Sequence, residues 1–185
     1  MNVSRTTGAD GICILTFDKH GSSANVFDVE TLDELDAHIA WIESQGDLKG
    51  VIITSAKAKI FIAGADLNSF AKNPDEGAMG AIIDKGHRVF TRLSRLAIPS
   101  AAAIHGVCLG GGCEVSLACD WRVASLDKAT KIGLPETQLG ILPAWGGSVR
   151  MPALIGLPQA LGLTGARLRR TARCQTAHEK RTEIR

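Results

Sequence analysis

Tyrosine is absent from this chain of 185 residues, and aromatic side chains make up only 4% of it. Proteins that bind single-stranded nucleic acid stack bases on aromatic rings, so this scarcity argues against that class of partner. Basic residues are concentrated at one end, because residues 166–185 hold seven of the 21 basic groups and two of the 19 acidic ones. The preceding 165 residues carry a net charge of −3. We therefore expect no nucleic-acid partner for the body of the protein.

The chain also lacks the cysteine patterns of metal and disulfide proteins. Its five cysteines form no Cys-x-x-Cys pair and no Cys/His cluster with the spacing of a zinc site. The N-terminal residues "MNVSRTTGADG" do not resemble a secretory signal peptide. An odd number of free thiols is typical of a reducing compartment. The sequence therefore predicts a cytoplasmic protein without a metal site.

One uncharged stretch reaches the length of a membrane span. Residues 96–113 contain no Asp, Glu, Lys or Arg, and about 20 apolar residues suffice to cross a bilayer. The same stretch contains Pro99, Ser100, His105 and several glycines, which suit a buried strand and a turn better. We therefore expect no membrane span.

The order of apolar patterns indicates an α/β fold. Short apolar runs predict strands at 11–17, 50–55, 100–106 and 121–125. Apolar residues at spacings of three and four predict an amphipathic helix over 29–42, with Asp28 as its N-cap. A second helix is predicted over 76–96, ending before Pro99 because the residue before proline disfavours helix. Strands that alternate with helices favour largely parallel pairing.

Two strand-to-helix junctions are rich in small residues. "FIAGADLNSF" (61–70) follows the second predicted strand, with Asp66 placed to cap a helix beginning at Leu67. "HGVCLGGGCEVSLACD" (105–120) follows the third, and its helix should begin near Gly111 or Gly112. A helix start presents backbone N–H groups that favour negative charge. Two such junctions on neighbouring strands could direct two donors at one oxygen and form an oxyanion hole. A tight turn alone is the alternative explanation of the glycines.

Two glutamates lie in apolar, glycine-rich surroundings. "CLGGGCE" lacks the lysine of a P-loop, and no G-x-G-x-x-G pattern marks a dinucleotide site. Glu114 follows the glycines in the first turn of an apolar helix, and Glu136 lies in the predicted loop "GLPETQLG". Separately they would be a helix-cap acid and a surface acid. Together they are typical of a pair with pKa values adjusted for proton transfer.

Three segments in this order resemble the crotonase, or enoyl-CoA hydratase/isomerase, superfamily: "FIAGADL", "IHGVCLGGGCEVSLACD" and "GLPETQLGILPAWGGSVRMP". The third is similar to the hydratase/isomerase part of multifunctional fatty-acid oxidation α subunits. The resemblance covers about residues 10–163. It implies a spiral of ββα units, with intact members assembling as homotrimers or within a β-oxidation complex. It also implies no metal and no separate cofactor, since coenzyme A is part of the acyl-CoA thioester substrate.

The resemblance assigns roles to individual residues. Ala65 and Gly111 would supply the two N–H groups of the oxyanion hole, and Glu114 and Glu136 match the two catalytic glutamates. The backbone that would line the adenine and pantetheine of coenzyme A lies at Ile62, Ala63, Gly64 and Ala65. Ala144 stands where the family usually has a glycine whose N–H lies near the catalytic water, and would position that water here.

The implied activity is that of a lyase, the hydration of 2-trans-enoyl-CoA thioesters in fatty-acid β-oxidation, with double-bond isomerisation as a further activity. Two retained glutamates favour hydration, because a simple isomerase can work with one carboxylate. The alternatives are another crotonase reaction (isomerisation, decarboxylation or thioester hydrolysis) and a truncated, inactive remnant that binds coenzyme A.

The C-terminal residues depart from the family pattern. The family continues with apolar helices that cover the acyl pocket, whereas residues 166–185 place four arginines within seven positions. We therefore expect a partial crotonase-like core at 1–165 that lacks the C-terminal helical region. The basic tail at 166–185 is expected to be disordered or non-native, with a nucleic-acid-binding or membrane-binding tail as the alternative.

Overall fold

A computed structural model describes residues 1–66 and 76–165. The strands are β1 (Val3–Thr7), β2 (Ile12–Phe17), β3 (Gly50–Ser55), β4 (Ile60–Ile62), β5 (Ser100–Ile104), β6 (Val107–Leu109), β7 (Trp121–Ala124) and β8 (Lys131–Gly133). The helices are α1 (Val29–Glu43), α2 (Glu76–Leu93), α3 (Gly111–Ala118), α4 (Gly147–Ile155) and α5 (Leu157–Gly165), with a 3₁₀ helix at Glu136–Leu139. The helix start predicted at Leu67 and the predicted tail at 166–185 lie outside the described residues.

The strands form two sheets. The larger has the order β1-β2-β3-β5-β7, with β1 antiparallel to β2 and every other pair parallel. The smaller sheet, β4-β6-β8, is wholly parallel. Helices separate the parallel strands, as parallel pairing requires a crossover connection. The predicted α/β class with largely parallel strands is confirmed.

Successive strands alternate between the two sheets. β3 is followed by β4, β5 by β6 and β7 by β8, and each pair places one strand in the larger sheet and one in the smaller. Helix α3 follows the β5–β6 pair, and the 3₁₀ helix follows the β7–β8 pair. This repetition confirms the predicted spiral of ββα units. It also brings the residues that follow β4, β6 and β8 to one edge of the smaller sheet.

The smaller sheet and β1 were not predicted. The strand predicted over 100–106 ends at Ile104, because the chain turns at Gly106 and enters the second sheet as β6. Strands of three residues, such as β4, β6 and β8, are too short to show a period of two. β1 alternates weakly, because its last two residues are exposed.

Helix α1 follows its predicted pattern closely. The Asp28 Oδ1 accepts a hydrogen bond from the Thr31 amide at 2.9 Å, which confirms the N-cap. Leu32, Leu35, Ile39 and Ile42 are buried, whereas Val29 at the first position is 42% exposed. Helix α2 ends at Leu93 rather than Leu96, because the chain tightens there into i→i−3 hydrogen bonds such as Arg95 N–H to the Arg92 carbonyl (3.1 Å).

Four aromatic rings connect the core to the C-terminal helices. Phe27 meets Phe17, Phe90 and Trp145 edge to face, with ring centroids 5.7, 5.2 and 5.7 Å apart. Phe90 also meets Trp145 at 5.4 Å. Phe17 lies on β2 and Phe90 on α2, and the rings of Phe27 and Trp145 lie against Gly111, which follows β6. None of the helices in the described part of the chain combines the length and apolar composition needed to cross a membrane.

Candidate active site

The two predicted junctions lie side by side. β4 and β6 are parallel neighbours, so the residues after them leave the same edge of the smaller sheet. A β-carbon added to Gly64 would lie 3.4 Å from the Leu109 carbonyl oxygen and 3.9 Å from the Gly111 nitrogen. Gly64 also has a φ of +113°, which strains any residue with a side chain. The structure therefore brings the segment containing Ala65 against the helix start at Gly111.

The Ala65 amide faces away from its nearest backbone neighbour. The Phe27 N–H donates to the Gly64 carbonyl at 2.8 Å, and the Asp66 N–H donates to the Phe27 carbonyl at 2.9 Å. In an extended chain, the N–H of the intervening residue points to the opposite side. The half-buried Ala65 has no hydrogen-bond acceptor for its N–H among residues 1–66 and 76–165.

The second amide belongs to the first residue of α3. Gly110, the residue before the helix, has a φ of +53° and donates its own N–H to the Gly133 carbonyl at 3.0 Å. The Gly111 N–H is one of the first-turn donors that an α-helix cannot satisfy internally, and it has no acceptor within the described part of the chain. A β-carbon on Gly112 would collide with the Ile62 carbonyl, so glycine lets α3 begin directly on β4.

Glu114 is buried, with 2% of its surface exposed. Its Oε1 accepts hydrogen bonds from the Trp145 N–H at 2.8 Å and the Gly147 N–H at 2.9 Å. Burial raises the pKa of Glu114 to about 7, and the charge of Glu136 acts in the same direction. The two backbone hydrogen bonds and the positive charge of Arg150 oppose this rise. Glu114 is therefore placed to exchange a proton near neutral pH.

Glu136 is also buried, at 7% exposed, and begins a 3₁₀ helix where a loop was predicted. The helix ends after one turn at Gly140, whose φ is +74°. A β-carbon on Gly110 would lie 3.1 Å from the Glu136 Oε1, so this carboxyl group faces the start of α3. Its Oε2 has no hydrogen-bond partner among the described residues. Burial raises the pKa of Glu136 as well.

Comparison with known proteins identifies the family of the chain. The family model for enoyl-CoA hydratase/isomerase matches residues 7–172. The chain belongs to the enoyl-CoA hydratase/isomerase family. The match extends beyond the approximate limit of 163 that the sequence motifs indicated, into the residues predicted to be a tail.

The chain is similar to proteins considerably longer than itself. It is 43% identical over 162 residues to the fatty acid oxidation complex subunit alpha of Shewanella frigidimarina, which covers 86% of this chain and 23% of that protein. The enoyl-CoA hydratase structure from Bacillus anthracis is 34% identical with a TM-score of 0.84, covering 91% of this chain and 64% of that one. The Pseudomonas aeruginosa DspI structure is 30% identical with a TM-score of 0.81, covering 88% and 64%. The chain thus spans about a quarter of its curated relative and about two thirds of these solved chains.

In this family member, the segment predicted to line coenzyme A is held from one side by Asn25. The Asn25 carbonyl accepts the Ala63 N–H at 2.8 Å. Its buried side-chain amide donates to the Ser55 Oγ at 2.8 Å and to the Phe61 carbonyl at 3.0 Å. Ile62 is fully buried, whereas Ala63 and Ala65 remain half-buried. Coenzyme A binding at Ile62–Ala65 stays a prediction.

Ala144 is exposed. Its role in positioning the catalytic water also stays a prediction. The amides that reach Glu114 belong to Trp145 and Gly147, which sequence reasoning missed. The glycine pair Gly146–Gly147 at the start of α4 was the available clue, since helix N-termini attract carboxylates. Within the described ranges, no group of His, Cys, Asp and Glu side chains could hold a metal ion.

Proposed function

We propose that the chain carries an enoyl-CoA hydratase site, which adds water across the double bond of 2-trans-enoyl-CoA thioesters. The observation that carries this proposal is the pairing of two buried glutamates, Glu114 and Glu136, with two neighbouring backbone amides that have no acceptor in the described structure. Family membership supports the same class of chemistry.

The backbone amides of Ala65 and Gly111 would bind the thioester carbonyl oxygen. Water adds to the β carbon of an enoyl thioester only if the carbonyl oxygen can accept the enolate charge that develops. Two N–H groups fixed by the backbone provide that stabilisation without rearrangement, and losing one such donor typically costs about 10²- to 10³-fold in rate. The position of Gly64 against the start of α3 supports this pairing of donors.

The two glutamates would divide the proton transfers. Glu114 takes a proton from the water as its oxygen bonds to the β carbon, and Glu136 gives a proton to the α carbon. One proton then passes from Glu114 back to Glu136, so that the net change is the addition of one water molecule. These steps use carboxyl groups and backbone amides, so we propose that no metal or separate cofactor takes part.

The surroundings of the two acids support proton transfer by the pair, in which Glu114 and Glu136 share one proton. This transfer requires one carboxyl group to be ionised and the other protonated at the start of each cycle. Burial raises the pKa of both glutamates, and the charge of Glu136 raises that of Glu114 further. Two coupled buried acids hold one proton between them at a higher pH than two exposed acids would. The pair can therefore act as base and acid together near neutral pH.

Double-bond isomerisation is a second candidate activity. Moving a double bond from the β,γ to the α,β position requires a proton to leave the α carbon and another to reach the γ carbon. The Glu136 carboxyl group faces the start of α3, and its Oε2 has no partner among the described residues. One such acid can carry out both transfers while the amides of Ala65 and Gly111 hold the enolate oxygen.

A spectrophotometric assay would test these alternatives. The chain is mixed with a short trans-2-enoyl-CoA, and loss of the conjugated enoyl absorbance is followed while the melting temperature is measured with and without coenzyme A. We expect both turnover and stabilisation by coenzyme A. Stabilisation without turnover would instead support a coenzyme A-binding remnant. If coenzyme A does not stabilise the protein and no turnover is seen, both the hydratase and the remnant hypotheses are rejected. A 3-enoyl-CoA substrate that gains conjugated absorbance would reveal isomerisation.

For a longer protein containing this chain, we propose assembly as a homotrimer or within a β-oxidation complex, and a cytoplasmic location. The similarity to a fatty acid oxidation complex subunit supports the first point. Light scattering on the purified protein and fractionation of the cells that produce it would test the two points separately.

A further inference from the structure

Trp145 occupies a slot between two helices that only glycine leaves open. Its side chain is 4% exposed. A β-carbon added to Gly86 on α2 would overlap the indole atoms Cε2 and Nε1. A β-carbon added to Gly111 on α3 would lie 2.6 Å from Cζ3, closer than real β-carbons approach a neighbour. Neither position can carry a side chain while the ring is seated, so Gly86 and Gly111 define the indole slot.

Shape and ring contacts hold Trp145 in this slot. The ring meets the edges of Phe27 and Phe90 at centroid distances of 5.7 and 5.4 Å, a favourable arrangement of aromatic pairs. The indole Nε1 has no hydrogen-bond partner among the described residues. A buried donor without an acceptor is unfavourable, so the polar group of tryptophan does not explain the placement. The size of the ring does.

The backbone of Trp145 connects the slot to Glu114. Its N–H donates to the Glu114 Oε1 at 2.8 Å, and its carbonyl accepts from the Arg150 Nη1 at 2.8 Å. Two residues further on, the Gly147 N–H gives the same carboxylate oxygen its second hydrogen bond. Trp145 is therefore fixed at its ring, its carbonyl and its amide. The loop that it fixes supplies both backbone hydrogen bonds to Glu114.

We propose that Trp145 is a positioning residue for Glu114: its ring, seated in the indole slot, holds the loop that keeps two backbone amides on the carboxylate. The effect on turnover rests on the proposed function. The effect on the carboxylate does not, because its titration can be followed without substrate.

The expected change follows from the groups around Glu114. Hydrogen bonds from the two amides favour its ionised form, as does the Arg150 charge, whereas Glu136 and burial disfavour it. Burial raises the pKa of Cys113, the preceding residue on α3, and the charges of both glutamates act in the same direction. Trp145→Ala changes none of these ionisable side chains and removes the ring that fixes the loop. Loss of one hydrogen bond to the carboxylate should therefore raise the pKa of Glu114 by about one pH unit.

The test is a nuclear magnetic resonance titration of the protein labelled at its glutamate carboxyl carbons. Trp145→Ala should move the Glu114 titration upward by about one pH unit, and Trp145→Phe, which fills most of the slot, by less. Gly86→Ala should also move it upward, because the new methyl group displaces the ring from the far side. Trp41→Ala is the matched control, since that ring lies on α1 beneath the Arg5 guanidinium, and it should leave Glu114 unchanged.

An unchanged Glu114 titration in folded Trp145→Ala protein would overturn the proposal. If Trp145→Ala does not fold, Gly86→Ala decides alone, and an unchanged titration in that variant has the same meaning. Absence of hydratase activity in the wild-type chain would reject the proposed function and leave the titration result standing. If turnover falls in Trp145→Ala but the pH dependence of turnover stays that of the wild type, the ring has a merely structural role.

Discussion

Replacing Glu114 with glutamine removes one ionisable group from the protein interior while preserving its shape. The glutamine amide oxygen can accept both hydrogen bonds, from the Trp145 and Gly147 amides, that now reach the Glu114 Oε1. The side chain is 2% exposed, so little water can relieve the cost of its charge. The substitution therefore separates the cost of the buried charge from packing and hydrogen bonding.

The size of the effect follows from the pKa of Glu114, which burial raises from 4.5 to about 7. The folded protein binds this proton more tightly than the unfolded chain does. The resulting stabilisation is complete below about pH 4.5 and is lost as the pH rises through about 7. Over that pH range, the free energy of unfolding of the wild-type protein falls by about 3 kcal/mol. That of Glu114→Gln should not fall in this way, because glutamine has no proton to lose. For a chain of this length, this corresponds to a difference of about 10 °C in melting temperature.

Urea unfolding of both proteins at about pH 5 and about pH 8.5 measures this difference. We expect similar free energies of unfolding at the lower pH and a more stable variant at the higher pH. Exposed Glu30 on α1 offers a matched control, because Glu30→Gln removes a carboxyl group from the surface and leaves the interior unchanged. A Glu114→Gln protein whose stability relative to wild type is the same at both pH values would refute the reasoning that burial raises the pKa of this carboxyl group.

Two further predictions concern turnover. The hydration kcat/KM should pass through a maximum and fall at both lower and higher pH, because the proposed mechanism needs one ionised and one protonated carboxyl group; a flat profile would contradict this requirement. Ala65→Pro deletes the N–H of that residue, whereas Ala65→Gly keeps it, so the proline variant should be slower by about 10²- to 10³-fold. Circular dichroism on both variants controls for disturbance of the fold, and equal losses would exclude a special role for the amide.

The parts of the fold that the sequence predicted are those specified by local patterns. Helix α1 follows from apolar spacing and from Asp28, whose capping contact reaches only to Thr31. The smaller sheet could not be predicted in this way, since each of its strands has only three residues and forms only by pairing with the neighbouring strands. Parallel pairing of β4 with β6 joins residues far apart in the chain, and no local period reports such a contact.

In the candidate site too, the residues with a local sequence signal were predictable and the contacts between distant segments were not. Glu114, Glu136 and the glycine-rich junctions were predictable, because acids in apolar surroundings are conspicuous in a sequence. The donors to Glu114 were not, since the contact with Trp145 spans 31 residues and depends on how α4 packs against α3. The indole slot was still less accessible, because nothing near Gly86 in the sequence indicates that a ring from a distant loop lies against it.

The central claim is that Glu114 and Glu136 act together on an enoyl thioester, and the most direct test is hydration of a short trans-2-enoyl-CoA by three proteins measured in parallel. Wild type, Glu114→Gln and Glu136→Gln should retain the same fold and the same stabilisation by coenzyme A. We predict turnover by the wild type and a loss of about 10²- to 10⁴-fold in each variant, the usual contribution of a general acid or base. Near-normal hydration by either variant would contradict the two-glutamate mechanism.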